Sequence, residues 1–237
     1  MSDWHLSPML AFDIESTGVD FDTDRIVTAA LIRIDPAAGT SEATTWLADP
    51  GIEIPQGATD VHGITTAHAR EHGRPAHEVT DEVANQIAAA IDDGVPLVAF
   101  NAAYDFTLLD RELARHRTGV DFGGKLRVID PHVIDKQVDR YRRGSRRLAD
   151  VCAHYNIALS QEAAHGCEAD ALATARLAWR LGSTQPHLAA MGIDELHDAQ
   201  RAWRAEQAAS LEAYLRRTKN PREVVDRAWP IIPATST

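Results

Sequence analysis

A short apolar run that ends in two carboxylates constrains this chain more than any other stretch. Residues 9–14 are mostly apolar, and Asp13 and Glu15 stand two apart just before a Ser-Thr-Gly turn at 16–18. The pattern predicts a buried strand over Met9–Ile14 that closes in that turn. Because residues two apart on a strand share a face, both carboxylates should lie side by side at the strand end.

Two neighbouring carboxylates repel each other, and burial increases the cost of that repulsion. A divalent cation relieves it, and hard oxygen ligands favour Mg²⁺ or Mn²⁺. The alternative is an acidic turn in solvent, because the spacing alone is not specific. Asp110 and Glu112 repeat it within a helical pattern. The first pair is therefore a candidate metal site, and other residues of the chain must support it before it indicates metal binding.

Composition sets outer limits on the class of protein. The chain has 237 residues, of which 44% are hydrophobic and 25% charged, as in ordinary globular proteins. A formal net charge of −11 argues against nonspecific coating of nucleic acid, although an enzyme can still hold a short end through metal ions. We expect Cys152 and Cys167 to be small buried residues in a reducing compartment. No signal peptide or membrane span is apparent, which predicts a cytoplasmic protein.

Three predicted strands open the chain, and strands alternate with helices afterwards. The first strand, a β-branched run over Arg25–Ile34 and a short run over Thr44–Leu47 have short links, which predicts an antiparallel meander. Further strands are predicted over Pro96–Phe100 and Leu126–Ile129, and Pro50–Pro75 is interpreted as irregular. This order predicts an α/β fold with a mixed five-stranded sheet flanked by helices. The predicted helices are 78–91, 102–116, 132–141, 145–154 and 168–181, the second of them capped by Asn101.

The chain changes character at Pro186, and we expect a catalytic domain over 1–183 and a C-terminal helical extension over 184–237. Residues 194–217 show an amphipathic helical pattern, and Asn220-Pro221 predicts a short helix that Pro230 ends. An apolar stripe must be buried somewhere. Packing on the chain's own domain is favoured, a homodimer comes next, and another protein is the third possibility. The stripe comprises Leu196, Ala199, Trp203, Leu211, Tyr214 and Leu215.

Three further positions complete a pattern with the opening pair. Asp105 lies one turn into the helix after the fourth predicted strand, and Asp170 lies early in a later helix. His165 stands five residues before Asp170, in the loop that leads into that helix. Each spacing alone is common, because His116 and Asp121 repeat the last one. The joint order of strand-borne and helix-borne acids is much rarer by chance.

With these motifs, the sequence resembles the DEDDh 3′–5′ exonucleases, a group that includes proofreading subunits of bacterial replicative polymerases and RNase T. The likeness covers about residues 8–182. The matching segments are Phe12–Gly18, Val61–Thr65, Asn101–Asp105 and His165–Asp170. A sister subfamily carries Tyr-x₃-Asp in the last motif, whereas Gly166 stands at that position here. The histidine version of the motif therefore applies.

The resemblance implies an RNase H-like fold and hydrolysis with two divalent ions, Mg²⁺ or Mn²⁺. Asp13 would bridge both ions, and Glu15, Asp105 and Asp170 would complete the set of metal ligands. His165 would accept the proton of the attacking water, because a reference pKa of about 6.5 makes it a usable base near neutral pH. The predicted catalytic residues are thus these four acids and His165.

The resemblance also suggests four substrate contacts, each with a plainer alternative. Thr17 and Gly18 would line the terminal nucleotide, or they form an ordinary turn. His62 would meet substrate, or it is a solvated loop histidine. Asn101 would contact substrate beside its expected role as a helix cap. Residues 136–147 carry six cationic side chains and one acidic one, which predicts either a phosphate track or a solvated basic face.

The function predicted from the sequence is a metal-dependent 3′–5′ exonuclease that acts on single-stranded or frayed DNA ends and releases nucleoside 5′-monophosphates. RNA remains an open substrate, because discrimination depends on contacts to the 2′-OH group. The alternatives are a proofreading-type subunit whose C-terminal helices dock a DNA polymerase and a catalytically inactive binding domain. A role in DNA replication or repair and a monomer or a homodimer are the expectations for pathway and assembly.

Overall fold

A mixed sheet lies at the centre of the fold. The computed structural model describes residues 3–122, 124–159 and 166–234. The strands are β1 Met9–Ser16, β2 Ile26–Asp35, β3 Thr40–Asp49, β4 Arg74–Pro75, β5 Leu97–Val98 and β6 Val128–Ile129. They form one six-stranded sheet in the order β4-β3-β2-β1-β5-β6. The predicted α/β class with an RNase H-like sheet is confirmed, with six strands instead of five.

Helices cover both faces of the sheet. In chain order they are α1 Gln56–His62, α2 Thr66–His72, α3 Ala76–Asp92, α4 Ala103–His116, α5 Pro131–Val138, α6 Leu148–His154, α7 Cys167–Thr184, α8 Pro186–Ala190 and α9 Ile193–Thr218. A 3₁₀ helix, Trp4–Leu6, precedes β1. None of the helices in the described residues is both long enough and apolar enough to cross a membrane.

The strand directions bring several chain segments to one edge of the sheet. β1 pairs antiparallel with β2, and β2 with β3, which confirms the predicted meander. β1, β5 and β6 run parallel, so their C-terminal ends meet at the same edge. We call this the carboxylate edge: it comprises Asp13 and Glu15 at the end of β1, the turn 99–102 after β5, and Asp130 after β6.

The two faces of β1 pack against different helices. Phe12 and Ile14 lie in the core between the sheet and the helices α3 and α4. Ala11 lies in the core on the opposite face, together with residues of α7. Asp13 and Glu15 follow Ala11 at intervals of two residues, so strand alternation places both carboxylates on the α7 side of the sheet.

The segment 50–75, predicted to be irregular, instead forms α1, α2 and the two-residue strand β4. No residue of α1 is buried, and in α2 only Ala69 is. Helices this short and this exposed show no apolar periodicity from which they could be predicted. β4 is the strand that the five-stranded prediction lacked. Its residues Arg74 and Pro75 pair parallel with Ala48 and Asp49 at the sheet margin. An edge position accommodates proline, which cannot donate to a ladder.

The prediction of a short helix from Asn220 is wrong. Residues 223–229 form neither helix nor strand. Side chains take the backbone donors there instead. The Asn220 side chain accepts a hydrogen bond from the Arg222 N–H at 3.1 Å, and the Glu212 carboxylate accepts one from the Val225 N–H at 3.1 Å. Such local side-chain bonds compete with helix formation.

Helix α9 covers the open edge of β6. The backbone N–H of Val128 donates to Nδ1 of His197 at 3.0 Å. Gln200 donates its amide to the Val128 carbonyl at 2.9 Å and accepts from the backbone N–H of Asp130 at 2.7 Å. Burial lowers the pKa of His197 to about 4, which keeps its Nδ1 an acceptor at neutral pH. Side chains of α9 therefore satisfy backbone groups that an edge strand would otherwise leave open.

The extension thus packs on the chain's own sheet, which is the favoured of the three predicted destinations. The predicted stripe is only partly correct. Leu196 is fully buried, whereas Leu211 and Tyr214 remain 46% and 51% exposed. The contact with β6 involves only the first half of α9, so the last turns have no sheet to cover them. The division into domains at 183/184 stays a prediction.

Candidate active site

Three carboxylates meet at the carboxylate edge. Single oxygens of Asp13, Glu15 and Asp170 all lie within 4.8 Å of one another. Asp170 comes from the first turn of α7, whose sheet-facing side is made of small residues such as Ala171 and Ala175. Small side chains let a helix approach a sheet closely. This packing brings Asp170 to the end of β1.

Asp105 adds a fourth negative charge to the cluster. It lies in the first turn of α4 and is 4% exposed. Burial raises the pKa of Asp13 well above its usual value, and the charges of Asp105, Asp170 and Glu15 raise it further. Burial is also the main cause of the raised pKa of Asp105, which backbone hydrogen bonds at Asp105 itself and at Ile14 partly offset.

The pKa of Glu15 is raised as well. Burial raises its pKa from 4.5 to about 7, with a further contribution from the charge of Asp170. Clustered carboxylates with raised pKa values are a recurring feature of functional sites, because structure alone gains nothing from their repulsion. A donor set made of carboxylate oxygens fits a hard divalent cation.

The turn after β1 is fixed by hydrogen bonds around Gly18. Thr17 is buried and donates its hydroxyl to Asp24 at 2.7 Å, while it accepts from the Arg25 N–H at 3.0 Å. A Cβ added at Gly18 would lie 2.5 Å from the Asp24 carboxylate. The Thr17 hydroxyl is therefore committed to the turn, and Gly18 permits the close approach. Their predicted contacts with a nucleotide stay predictions.

The Tyr104 hydroxyl also braces this turn, and the sequence analysis missed it. It lies 2.6 Å from the Ser16 hydroxyl and donates to the Gly18 carbonyl. Tyr104 directly precedes Asp105 in the first turn of α4. Its place in the matching segment Asn101–Asp105 was the sequence signal that could have identified it.

Asp130 is a second residue that the sequence analysis missed, and it corrects the interpretation of Asn101. Helix α4 begins at Ala103 without a side-chain cap, and Asn101 has a φ of 62°. The Asp130 carboxylate accepts bonds from the backbone N–H groups of Asn101 and Ala102 at 3.0 Å each. It also caps α5 through the His132 N–H. Aspartate before Pro131 is a typical start of a helix and was the available signal.

A model of the RNase T family of exonucleases matches residues 10–178. The chain belongs to this exonuclease family. The match confirms the DEDDh 3′–5′ exonuclease class predicted from the motifs. The chain is also 31% identical over 194 residues to a DNA polymerase III subunit epsilon-like protein from Rhodobacter capsulatus. That alignment covers 78% of this chain and 24% of the relative, so the chain spans about a quarter of the relative's length.

Solved structures share the fold of this exonuclease-family chain. One is E. coli exonuclease I in complex with a dT13 oligonucleotide, with a TM-score of 0.60 and 22% identity over 77% of this chain and 42% of that one. Another is a moderately thermophilic exonuclease I from Methylocaldum szegediense, with a TM-score of 0.63 and 20% identity over 88% and 46%. At such identities the likeness establishes the fold.

His62 and His165 are the two histidines that the exonuclease resemblance suggested as functional residues. His62 ends α1, and its Nδ1 accepts from the Ile64 N–H at 3.1 Å. Burial lowers the pKa of His62, and a hydrogen bond with the Ser16 backbone partly offsets this. His62 thus lies beside the end of β1 and is not a freely solvated side chain. His165, the predicted base, lies outside the described residues.

Cations of the basic segment 136–147 differ in their partners. Arg142 donates to the buried Asp135 carboxylate at 2.8 Å, and Arg146 pairs with the same carboxylate. Lys136 and Arg140 make no salt bridge within the described residues and, together with Arg146, line a surface groove beside Asn101. The segment is therefore neither a uniform phosphate track nor a uniform solvated face.

Proposed function

We propose that this chain is a metal-dependent 3′–5′ exonuclease that hydrolyses the terminal phosphodiester bond of single-stranded or frayed DNA and releases nucleoside 5′-monophosphates. The observation that carries the proposal is the cluster of Asp13, Glu15 and Asp170, whose oxygens lie within 4.8 Å of one another in an exonuclease-family fold. Asp105 stands close enough to raise the pKa of Asp13 by its charge.

The carboxylates would hold two divalent ions, Mg²⁺ or Mn²⁺. Asp13 interacts electrostatically with Asp105, Asp170 and Glu15 alike, which supports a bridging position for it. When bound, such ions supply Lewis acidity and offset the negative charge that develops on the phosphate. The chain's own contribution is to orient the terminal phosphate against the end of β1. His165 would accept the proton of the attacking water.

A preference for unpaired ends follows from the placement of the cluster. Asp13, Glu15 and Asp170 are all only partly exposed, which supports entry of the scissile phosphate as an unpaired end. The oligonucleotide-bound exonuclease I of the same fold supports DNA as substrate. RNA stays the runner-up. Free buried cysteines are consistent with a cytoplasmic location.

A polymerase-docking subunit is the second candidate, because the curated relative is named as an epsilon-like polymerase subunit. The buried first half of α9 is already used against β6. Docking would have to rely on the exposed final turns, so we favour the stand-alone nuclease. Copurification of a polymerase subunit in stoichiometric amount, with no nuclease activity of the isolated chain, would reverse this order.

The test uses purified protein with DNA and RNA oligonucleotides labelled at the 5′ end, in Mg²⁺, Mn²⁺ or EDTA. We expect a ladder that shortens from the 3′ end, mononucleotide products and no reaction in EDTA or with a blocked 3′ end. Cleavage of circular single-stranded DNA would instead indicate an endonuclease and refute the end-specific proposal. An RNA-only ladder would refute the DNA assignment.

A further inference from the structure

A groove of about 590 Å³ begins beside the carboxylate edge and runs between α5, the loop after it and α9. Asn101, at the turn after β5, and His132, in the first turn of α5, line its inner end. Asp130 holds the backbone of Asn101, and its charge contributes to the raised pKa of Asp105. The groove therefore leads outward from the candidate active site.

The groove is positively charged in a chain whose net charge is −11. Lys136, Arg140, Arg146 and Arg204 line it together with Glu206. Within the described ranges Lys136, Arg140 and Arg204 make no salt bridge, whereas Arg146 is held by Asp135. Burial lowers the pKa of both Lys136 and Arg204, and repulsion by Arg204 lowers that of Lys136 further. Partly buried cations without a carboxylate partner favour an anionic ligand.

Aromatic side chains stand on both sides of the same groove. Tyr141, from the loop after α5, is 88% exposed, and Tyr214, from the last turns of α9, is 51% exposed. Exposed tyrosines beside cations provide base stacking together with phosphate contacts, the combination that binds single-stranded nucleic acid without sequence preference. An acidic polypeptide would use the cations but would gain no stacking from the tyrosines.

We propose that this α5–α9 groove binds the single-stranded nucleic acid upstream of the two nucleotides that flank the scissile phosphate, with Tyr141 and Tyr214 as stacking platforms and Lys136, Arg140 and Arg204 as phosphate contacts. The proposal rests on the proposed exonuclease function and adds the path of the strand. One wall comes from α9, which lies beyond residues 10–178 matched by the family. The extension would thus take part in substrate binding as well as protecting the sheet edge.

The first experiment measures binding without cleavage. Fluorescein-labelled dT12 is titrated in EDTA with wild type, with the double variant Tyr141→Ala/Tyr214→Ala and with Arg204→Gln. We expect roughly tenfold or greater loss of affinity for the tyrosine variant. The salt dependence should be shallower for Arg204→Gln, by about 0.7 in the log–log slope. Trp179→Ala is the matched control, because Trp179 is 38% exposed on α7 away from the groove.

The second experiment separates the groove from the active site. On dT12, the tyrosine variant should raise KM by a similar factor and leave kcat unchanged. On a dinucleotide too short to reach the groove, it should match wild type. Unchanged dT12 affinity and KM would overturn the proposal, as would an equal loss on dT12 and the dinucleotide. Loss of poly-glutamate binding by Arg204→Gln, with its dT12 binding intact, would overturn it in favour of an acidic protein partner. If the wild type shows no nuclease activity, the binding measurement in EDTA still tests whether the groove binds single-stranded nucleic acid.

Discussion

The side-chain oxygen of Gln200 accepts a hydrogen bond from the backbone N–H of Asp130 at 2.7 Å, across 70 residues of chain. The same amide donates to the Val128 carbonyl at 2.9 Å. One side chain of α9 therefore takes the place of a neighbouring strand along β6. Because Asp130 in turn holds the turn at Asn101, the C-terminal extension supports the carboxylate edge through Asp130.

Replacing Gln200 should destabilise the fold. Gln200→Ala leaves a buried N–H and a buried carbonyl without partners, which costs about 1–3 kcal/mol and lowers Tm by roughly 2–10 °C. Thermal unfolding followed by circular dichroism measures the change. Asp198→Ala is the matched control on the same helix, because Asp198 is 69% exposed and pairs only at the surface with Arg201. Equal Tm values for the two variants would contradict this role of Gln200.

Truncation after Gly182 should have a larger effect, since it uncovers β6 entirely. An uncovered edge strand pairs with other chains, so we expect a lower Tm and concentration-dependent aggregation. Light scattering and thermal unfolding measure both. A truncated chain that stayed monomeric, soluble and equally stable would show that the extension is a free docking arm.

The carboxylates should act as a unit in catalysis. Asp13→Asn and Asp170→Asn should each lower kcat by roughly a thousandfold or more while the fold stays intact. Asp110→Asn is the control, because Asp110 belongs to the second Asp-x-Glu spacing and lies on the surface of α4, where it pairs with Arg111. Near-normal turnover of Asp13→Asn at ordinary Mg²⁺ would refute the assigned site.

Stability without metal should depend on pH through Glu15. Its pKa in the folded protein is about 7, against 4.5 for the free group. The folded state holds this proton more tightly, so the contribution of Glu15 to stability is fully present below pH 4.5 and is lost as pH rises through 7. In EDTA, Glu15→Gln should match wild type in Tm near pH 5 and exceed it by a few degrees at pH 8.

The difference between the two proteins is the informative quantity. His132 and His197 have lowered pKa values, which change stability in the opposite direction over acid pH, but they contribute equally to both proteins. Saturating Mg²⁺ at pH 8 should raise the Tm of wild type more than that of Glu15→Gln. A difference independent of pH would contradict the raised pKa of Glu15.

His165 should carry the pH dependence of the rate. At saturating metal, activity should rise with pH through the histidine pKa and then level off. His165→Ala should lose most of the rate while Mn²⁺ still raises its Tm as it does in wild type, because the imidazole is not a proposed ligand. A variant that followed the wild-type profile across pH would show that another group activates the water.

The sequence predicted those parts of the structure that rest on strong periodicity or on short-range geometry. Strand alternation alone placed Asp13 and Glu15 on one face, and the apolar runs predicted β1 and β2 closely. Features that depend on tertiary contacts were not predictable. Asn101 is a good cap by residue type, but the distant Asp130 carboxylate takes its backbone N–H and leaves it in a left-handed conformation.

The same reason explains the other differences. Polar residues of α9 that interrupt an apolar stripe, His197 and Gln200, are among its most buried, because they bond to the edge of β6. The short elements α1, α2 and β4 bury too few side chains to leave a pattern. Which arginines of the basic segment 136–147 form salt bridges depends on the buried Asp135, a tertiary contact that the sequence pattern does not show.

The raised pKa values at the end of β1 also make this edge a site of proton exchange. Asp13 and Glu15 hold their protons to higher pH than free carboxyl groups do, and a divalent ion must displace any proton that remains before it can bind. The heat measured for metal binding will therefore contain the ionisation heat of the buffer that takes up those protons. Apparent metal affinity will fall with acidity even where the fold is unchanged, so the metal and the proton compete for the same oxygens.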